Sequence, residues 1–199
     1  MELKPGDPVS EKEIASAYGL SRTPVREAIQ RLADERLVEI FPQSGTFVAR
    51  IPHAELPEAI VIRKALETTT ARLAATKATK SQQLTLASII EQQREAAEAG
   101  DMHGFHRGDE AFHAKIAEIS GYPGIWRLVL QVKTQVDRFR RLTLAQPRRM
   151  FIVIEEHQKI LDAIVAGDGQ QAATAIADHL DAVLPALAES GPLDEANFR

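Results

Sequence analysis

Three histidines and one aspartate stand where metal chemistry is possible. Asp109 and His113 are four residues apart, so on a helix both project from one face, beside Phe112 and Ile116. His157 lies within IEEHQKILDAI and His179 within ATAIADHLDAVL, each between apolar residues. Three imidazoles and a carboxylate from three helices can close around one divalent ion and leave positions open for water or a ligand oxygen. Taken one at a time, a histidine within an apolar helix is more often a hydrogen-bonded core residue than a metal ligand. His53, His103 and His106 are read as surface or packing residues, although His106 is close enough to Asp109 to compete.

The segments that must position these residues are helical throughout. Apolar spacing and stop signals outline helices over Pro57 to Thr76, Ser81 to about Ala99, Asp101 to Ile119, Tyr122 to about Leu144, Pro147 to Ala166, and Asp168 to about Ser190. Ser81 and Asp168 are the expected caps, Gly100, Gly121 and Gly167 the stops, and Pro185 the site of a bend. Six helices with short links imply an antiparallel bundle. The residues after 190 read as a loosely ordered tail.

The first fifty residues follow another pattern. Ser10 to Tyr18 has a capping-box start and Gly19 suits a left-handed C-cap. Ser21 then serves as N-cap to SRTPVREAIQRLADER, with Pro24 in the first turn. Val25, Ile29, Leu32 and Ala33 form one stripe of that helix, and Arg22, Arg26, Gln30 and Arg31 fall largely outside it. Two helices joined by about three residues make a helix-turn-helix. Leu37 to Phe41 and Thr46 to Val48 flank turn residues 42–45 and read as a hairpin, the wing.

The run from SEKEIASAYGLSRTPVREAIQRLADERLVE to QSGTFVA resembles the winged helix-turn-helix of the GntR family of bacterial transcription regulators. That resemblance implies that the second helix enters the major groove and the wing tip approaches the minor groove, with DNA contacts from Lys12, Arg22, Thr23, Arg26 and Gly45. Members carry a further helix before the segment matching LKPGDPVSE, and here only Met1 and Glu2 precede it. The winged unit is therefore expected to lack its first helix and expose apolar surface, with DNA binding impaired if the gene itself begins at Met1.

The pattern DEAFHAKIAEISG followed by EEHQKILDAIVAGDGQQAATAIADHL resembles the FCD ligand-binding domain of the FadR subfamily within GntR. The resemblance implies that Asp109, His113, His157 and His179 hold a divalent transition metal of zinc, nickel or manganese type, with a small carboxylate bound beside or onto it. IVIRKALETTTARLAA matches the first helix of that domain, which implies that Arg63 faces the effector. A guanidinium suits a carboxylate, while an i, i+4 pair with Glu67 is the alternative. Tyr122 stands where the family often has Asn, which implies an altered pocket. The expected layout is a DNA-binding domain over residues 1–50, a linker over 51–56, the helical effector- and metal-binding domain over 57–190, and a tail over 191–199.

Composition bounds the remainder. The 199 residues carry a net charge of -4. Residues 1–51 hold seven Lys or Arg against eight Asp or Glu, so DNA binding must rest on local charge, as in Leu20 to Leu32 with three arginines and one glutamate. The chain has no cysteine, no run approaching a membrane span and no signal-peptide core, and a cytoplasmic protein is expected. The function expected is that of a metabolite-responsive transcription regulator and not an enzyme. It would act as a homodimer on a palindromic operator in double-stranded DNA, with a small organic acid as effector and no membrane partner. The alternatives are a metal-dependent hydrolase, with Glu155 or Glu156 as base, and a ligand-binding module without DNA binding.

Overall fold

A computed structural model describes residues 3–143 and 147–185. The described residues divide into two compact units, one within residues 3–54 and one within residues 55–185.

In the first unit, α1 (Glu11–Tyr18) begins where Ser10 accepts a hydrogen bond from the Glu13 amide, and ends at Gly19 in the left-handed conformation. Helix α2 (Arg22–Asp34) follows after three residues. Ser21 does occupy its N-cap, yet the hydroxyl makes no capping bond and so stays available to another acceptor or donor. Val25 and Ile29 of the expected stripe are buried with Ala15 and Val38, whereas Leu32 remains 37% exposed. Leu3, Tyr18 and Leu20 are also exposed on this unit.

The wing consists of β2 (Val38–Phe41) and β3 (Gly45–Val48), antiparallel, with Val38 opposite Val48 and Phe41 opposite Gly45. A strand absent from the sequence reading, β1 (Pro8–Val9), pairs with β3 and makes the sheet order β1-β3-β2. Two residues carry too little periodicity to announce a strand, and Pro8 argues against one except at an edge, which is where it lies. At the wing tip Gly45 has φ +117°, outside the ordinary range of side-chain-bearing residues.

The second unit contains α3 (Leu56–Lys77), α4 (Lys80–Glu98), α5 (Met102–Ile119), α6 (Gly124–Thr143), α7 (Pro147–Ala166) and α8 (Gly169–Asp181). Six helices form the expected bundle. Helix α3 packs against α5, α6, α7 and α8, while α4 packs against α5 and α7. Phe112, Ile116, Ile154, Ile160, Ile164 and Ile176 lie fully inside, and burying each such side chain contributes about 1.5–3 kcal/mol. No helix among the described residues is long and apolar enough to cross a membrane.

One helix cap differs from the sequence expectation, and one bend is slightly displaced. Thr79, not Ser81, caps α4, because Thr79 and Gln82 satisfy each other's backbone amides in a complete capping box. Helix α8 ends at Asp181, residues 182–183 form a turn, and residues 184–185 are helical again, so the expected bend falls just before Pro185. Proline has no amide to bond the carbonyl four residues back, which here is that of Asp181, so the hydrogen-bond ladder is interrupted at this point. The expected end of α6 at Leu144, the stretch to Ser190 and the tail lie outside the described residues.

Candidate metal centre and nucleic-acid interface

The bundle brings Asp109, His113, His157 and His179 together. All four are buried, and one ligand atom from each lies within 4.8 Å of the others. Donors about 2.1 Å from a common ion stand about 3–4 Å apart, so a small contraction of the side chains closes the set. His157 Nε2 is 3.6 Å from Asp109 Oδ1.

Each imidazole meets a polar group at Nδ1, His157 and His179 through hydrogen bonds and His113 through an ion-pair contact. His157 Nδ1–H donates to Gln93 Oε1 at 2.8 Å, and His179 Nδ1–H donates to Glu156 Oε2 at 2.8 Å. His113 Nδ1 lies 2.6 Å from Glu67 Oε2. With Nδ1 engaged, Nε2 is the atom left to face the cluster, as in metal sites where an outer partner fixes tautomer and ring orientation. Asp109 Oδ1, His113 Nε2 and His157 Nε2 are buried without a hydrogen-bond partner. Such orphaned atoms cost about 1–3 kcal/mol each, a cost that a bound cation removes. The residues therefore fit a divalent metal.

The packing around the cluster is close. Phe112 stacks on His157 at 4.3 Å between ring centroids, and Trp126 lies parallel to His113 at 6.1 Å. A Cβ on Gly108 would sit 2.5 Å from Gln93 Cγ, so glycine at this position is what lets α4 bring Gln93 up to His157. Arg63, Arg140, Arg149 and His179 border a small adjoining cleft of about 10 Å³, room for about one water molecule. Arg63 Nε donates to Glu67 Oε1 at 2.7 Å, and the same guanidinium borders the cleft, so the two readings of Arg63 coexist. Tyr122 is not a cleft residue: it is 55% exposed, with Lys77 Nζ 5.2 Å from its ring centre, because the link between α5 and α6 turns it outward.

Charge is arranged for a cation. Burial pushes the Asp109 carboxyl up, but Arg140 and the three histidines outweigh it and hold it well below the usual range. Glu67 is likewise raised by burial and lowered further by Arg63 and His113, to about 2. Burial lowers His157 well below the ordinary imidazole value, helped by His179, and lowers His179 too against the pull of Glu156. Neutral His157 and His179 beside an ionised Asp109 are protonation states a metal requires.

The same shifts set a pH dependence. A histidine whose folded pKa is depressed takes up its proton first in the unfolded chain, so stability falls as pH drops through about 6.5 toward the folded value. The metal-free protein is expected to lose urea resistance between about pH 7.5 and 5.5, with at most about 1.4 kcal/mol per pH unit for each such histidine. Urea midpoints across that range check this, and His157→Asn should flatten the slope.

On the first unit, Arg22, Thr23, Arg26, Glu27 and Gln30 lie along an open surface of α2. Lys12 is exposed on α1 and Gly45 at the wing tip. The Arg22 and Arg26 side chains are 65% and 68% exposed, and both guanidinium groups reach Glu11 Oε2, at 3.1 and 3.4 Å. Those bonds hold the Glu11 carboxyl below its ordinary range. The five expected DNA contacts are thus accessible within one unit, and Glu11 ties the two arginines together.

Comparison with known proteins assigns the architecture. Residues 1–48 match the family described as bacterial regulatory proteins, gntR family, and residues 58–182 match the FCD domain. The chain belongs to the GntR family. Among similar GntR relatives is an HTH-type transcriptional regulator in an unstable DNA locus of Streptomyces ambofaciens, 37% identical over 92% of this chain and 77% of that protein. The HTH-type transcriptional repressor RspR of Escherichia coli is 33% identical over 91% and 79%. A probable D-xylose utilization operon transcriptional repressor of Paenarthrobacter nicotinovorans is 35% identical over 96% and 84%. The solved structure of E. coli McbR/YncC superposes with a TM-score of 0.80 at 25% identity, covering 95% of this chain and 90% of that one. The protein is a DNA-binding transcriptional regulator with an FCD effector-binding domain, and its GntR family is one of regulators, not enzymes. In keeping with that, Glu156 is engaged by His179 and by Arg149 at 3.6 Å.

Sequence reasoning missed Gln93, Arg140, Arg149 and the supporting role of Glu156. A signal existed for Gln93, the one polar residue in the buried stripe Leu86, Ile90, Gln93, Ala97 of α4. Arg140 likewise extends the spacing Val129, Lys133, Val136 on α6.

Proposed function

We propose that this GntR regulator is a metabolite-responsive repressor of the FadR type. A small organic acid is sensed at a divalent transition metal held by Asp109, His113, His157 and His179, with Arg63 as an effector contact. Lys12, Arg22, Thr23, Arg26 and Gly45 contact double-stranded DNA, and a homodimer places two such units on a palindromic operator. The observation that carries the reading is the convergence of three imidazoles and a carboxylate, two of the imidazoles hydrogen-bonded at Nδ1, with orphaned buried atoms, beside an arginine-lined cleft. Two relatives named as repressors support the direction of regulation.

Three nitrogen donors and one oxygen donor suit zinc, nickel or manganese. When bound, the metal would supply a Lewis-acidic anchor for an acid oxygen, and guanidinium groups at the cleft would hold and orient its negative charge. The effector acts through unequal affinity for the DNA-competent and DNA-incompetent arrangements, and about 1–3 kcal/mol of coupling is typical.

Elemental analysis of protein purified without chelator should find about one divalent transition metal per chain. A thermal-shift series of sugar acids, hydroxy acids and amino acids on that protein should then pick out stabilising carboxylates, since a ligand of the folded state raises its stability. Protein free of metal that also gains none on dialysis against zinc, nickel or manganese would refute the reading.

A further inference from the structure

The cleft and the cluster share their acids. Glu67 gives Oε1 to Arg63 Nε at 2.7 Å, while its Oε2 lies 2.6 Å from His113 Nδ1. Across the site the arrangement repeats on other helices: Glu156 Oε1 lies 3.6 Å from Arg149 Nη1, and its Oε2 accepts from His179 Nδ1–H at 2.8 Å. Arg140 Nη1 is 3.7 Å from Asp109 Oδ2, whose other oxygen faces His157. Arg63 and Arg149 are thus one carboxylate away from a cluster donor, and Arg140 pairs with a donor directly.

A carboxylate divided between a guanidinium and an imidazole N–H gives each partner only part of its charge. An anion that pairs with the arginine leaves more of that charge to the imidazole, which makes Nε2 a stronger ligand. By reciprocity, a metal on the imidazoles then favours the anion.

We propose that Glu67 and Glu156 are positioning residues that couple the arginine-lined cleft to the three-imidazole cluster, so that an anion in the cleft tightens metal binding. This rests on the metal reading given above. It makes the regulator a coincidence device in which metal and acid each raise the other's occupancy.

The coupling can be tested without knowing the acid, because removing an arginine's charge does what a bound anion does. Arg149 is the better handle, its side chain being 24% exposed against 5% for Arg63. The probe is zinc alone, titrated into the metal-free full chain against a chromophoric chelator, with fluorescence of Trp126 beside His113 as a second readout. Glu156→Gln should weaken zinc binding by about 10- to 100-fold. Arg149→Gln should tighten it by about three- to tenfold. In the Glu156→Gln background the same arginine substitution should change affinity by less than about twofold, since the shared acid is gone. If Glu156→Gln does not fold, Glu156→Asp closes the same cycle, its shorter arm being unable to hold both partners. Equal tightening in both backgrounds would mean plain charge repulsion and would overturn the coupling, as would no tightening in either. Additive variants on a zinc-binding wild type leave the metal reading standing; a wild type that binds no zinc, nickel or manganese removes both.

Discussion

Alanine at both His157 and His179 is expected to strip the protein of metal and of the stability that metal confers. These two donors come from α7 and α8, so their loss leaves only Asp109 and His113, both on α5, too few and too one-sided to enclose an ion. Wild-type protein with free metal at about 1,000 times Kd gains about 4 kcal/mol of folding stability, and the double variant should gain none. Thermal unfolding with and without added metal, paired with elemental analysis, reads both effects. Truncating two buried side chains also leaves cavities, so the variant's metal-free melting point falls as well. The comparison that decides is the metal-induced increment, not the absolute midpoint. A variant that still holds one equivalent would show that the ligand set lies elsewhere.

That site was legible in the sequence only as four residues, because each ligand interrupts an apolar stripe of a helix whose period is plain. What the stripe cannot give is which interruptions meet. Gln93 breaks the stripe of α4 as His157 breaks that of α7, yet a lone glutamine carries no ligand chemistry and drew no attention. Its role depends on Gly108 of α5, whose missing side chain leaves room for Gln93 to reach His157. The arginines were hidden for a different reason: only tertiary packing turns Arg140 of α6 toward Asp109 of α5, while Arg149 reaches Glu156 two turns along its own helix α7, a spacing that carries no sign of the cleft. The double engagement of Glu67 joins α3 to α5 and that of Glu156 joins α7 to α8, beyond the reach of any local pattern.

The fold was more open to reading, and its misses are local. Capping chemistry located the starts of α1, α5 and α8, since a side chain three residues before an amide is a sequence-local arrangement. Ser81 failed as a cap because Thr79 has Gln82 at the right offset and completes the reciprocal pair first. The edge strand Pro8–Val9 has no signal of its own and exists only because β3 offers it a ladder.

Replacing Arg22 with alanine is expected to lower affinity for a specific duplex by about 5- to 150-fold, the worth of one bidentate base contact at about 1–3 kcal/mol. The guanidinium stands at the first residue of α2, exposed, where a groove-inserted helix presents its leading side chains to base edges. In the free protein it is paired with Glu11, but an exposed, solvent-screened ion pair is weak and yields readily to DNA. Arg26 shares the same carboxylate, so Arg22→Ala also leaves Arg26 with Glu11 to itself. The double variant Arg22→Ala, Arg26→Ala should therefore lose more than the sum of the two single losses, or less, but not that sum, since residues with a shared partner couple. A duplex selected from a random-sequence library, titrated at several salt concentrations, separates the roles: a base contact costs affinity for the selected sequence alone, whereas a phosphate contact weakens all sequences and reduces the salt slope by about one. Undiminished affinity of Arg22→Ala at fixed salt would remove that arginine from the interface and, with it, the assignment of α2 as the helix that reads the groove.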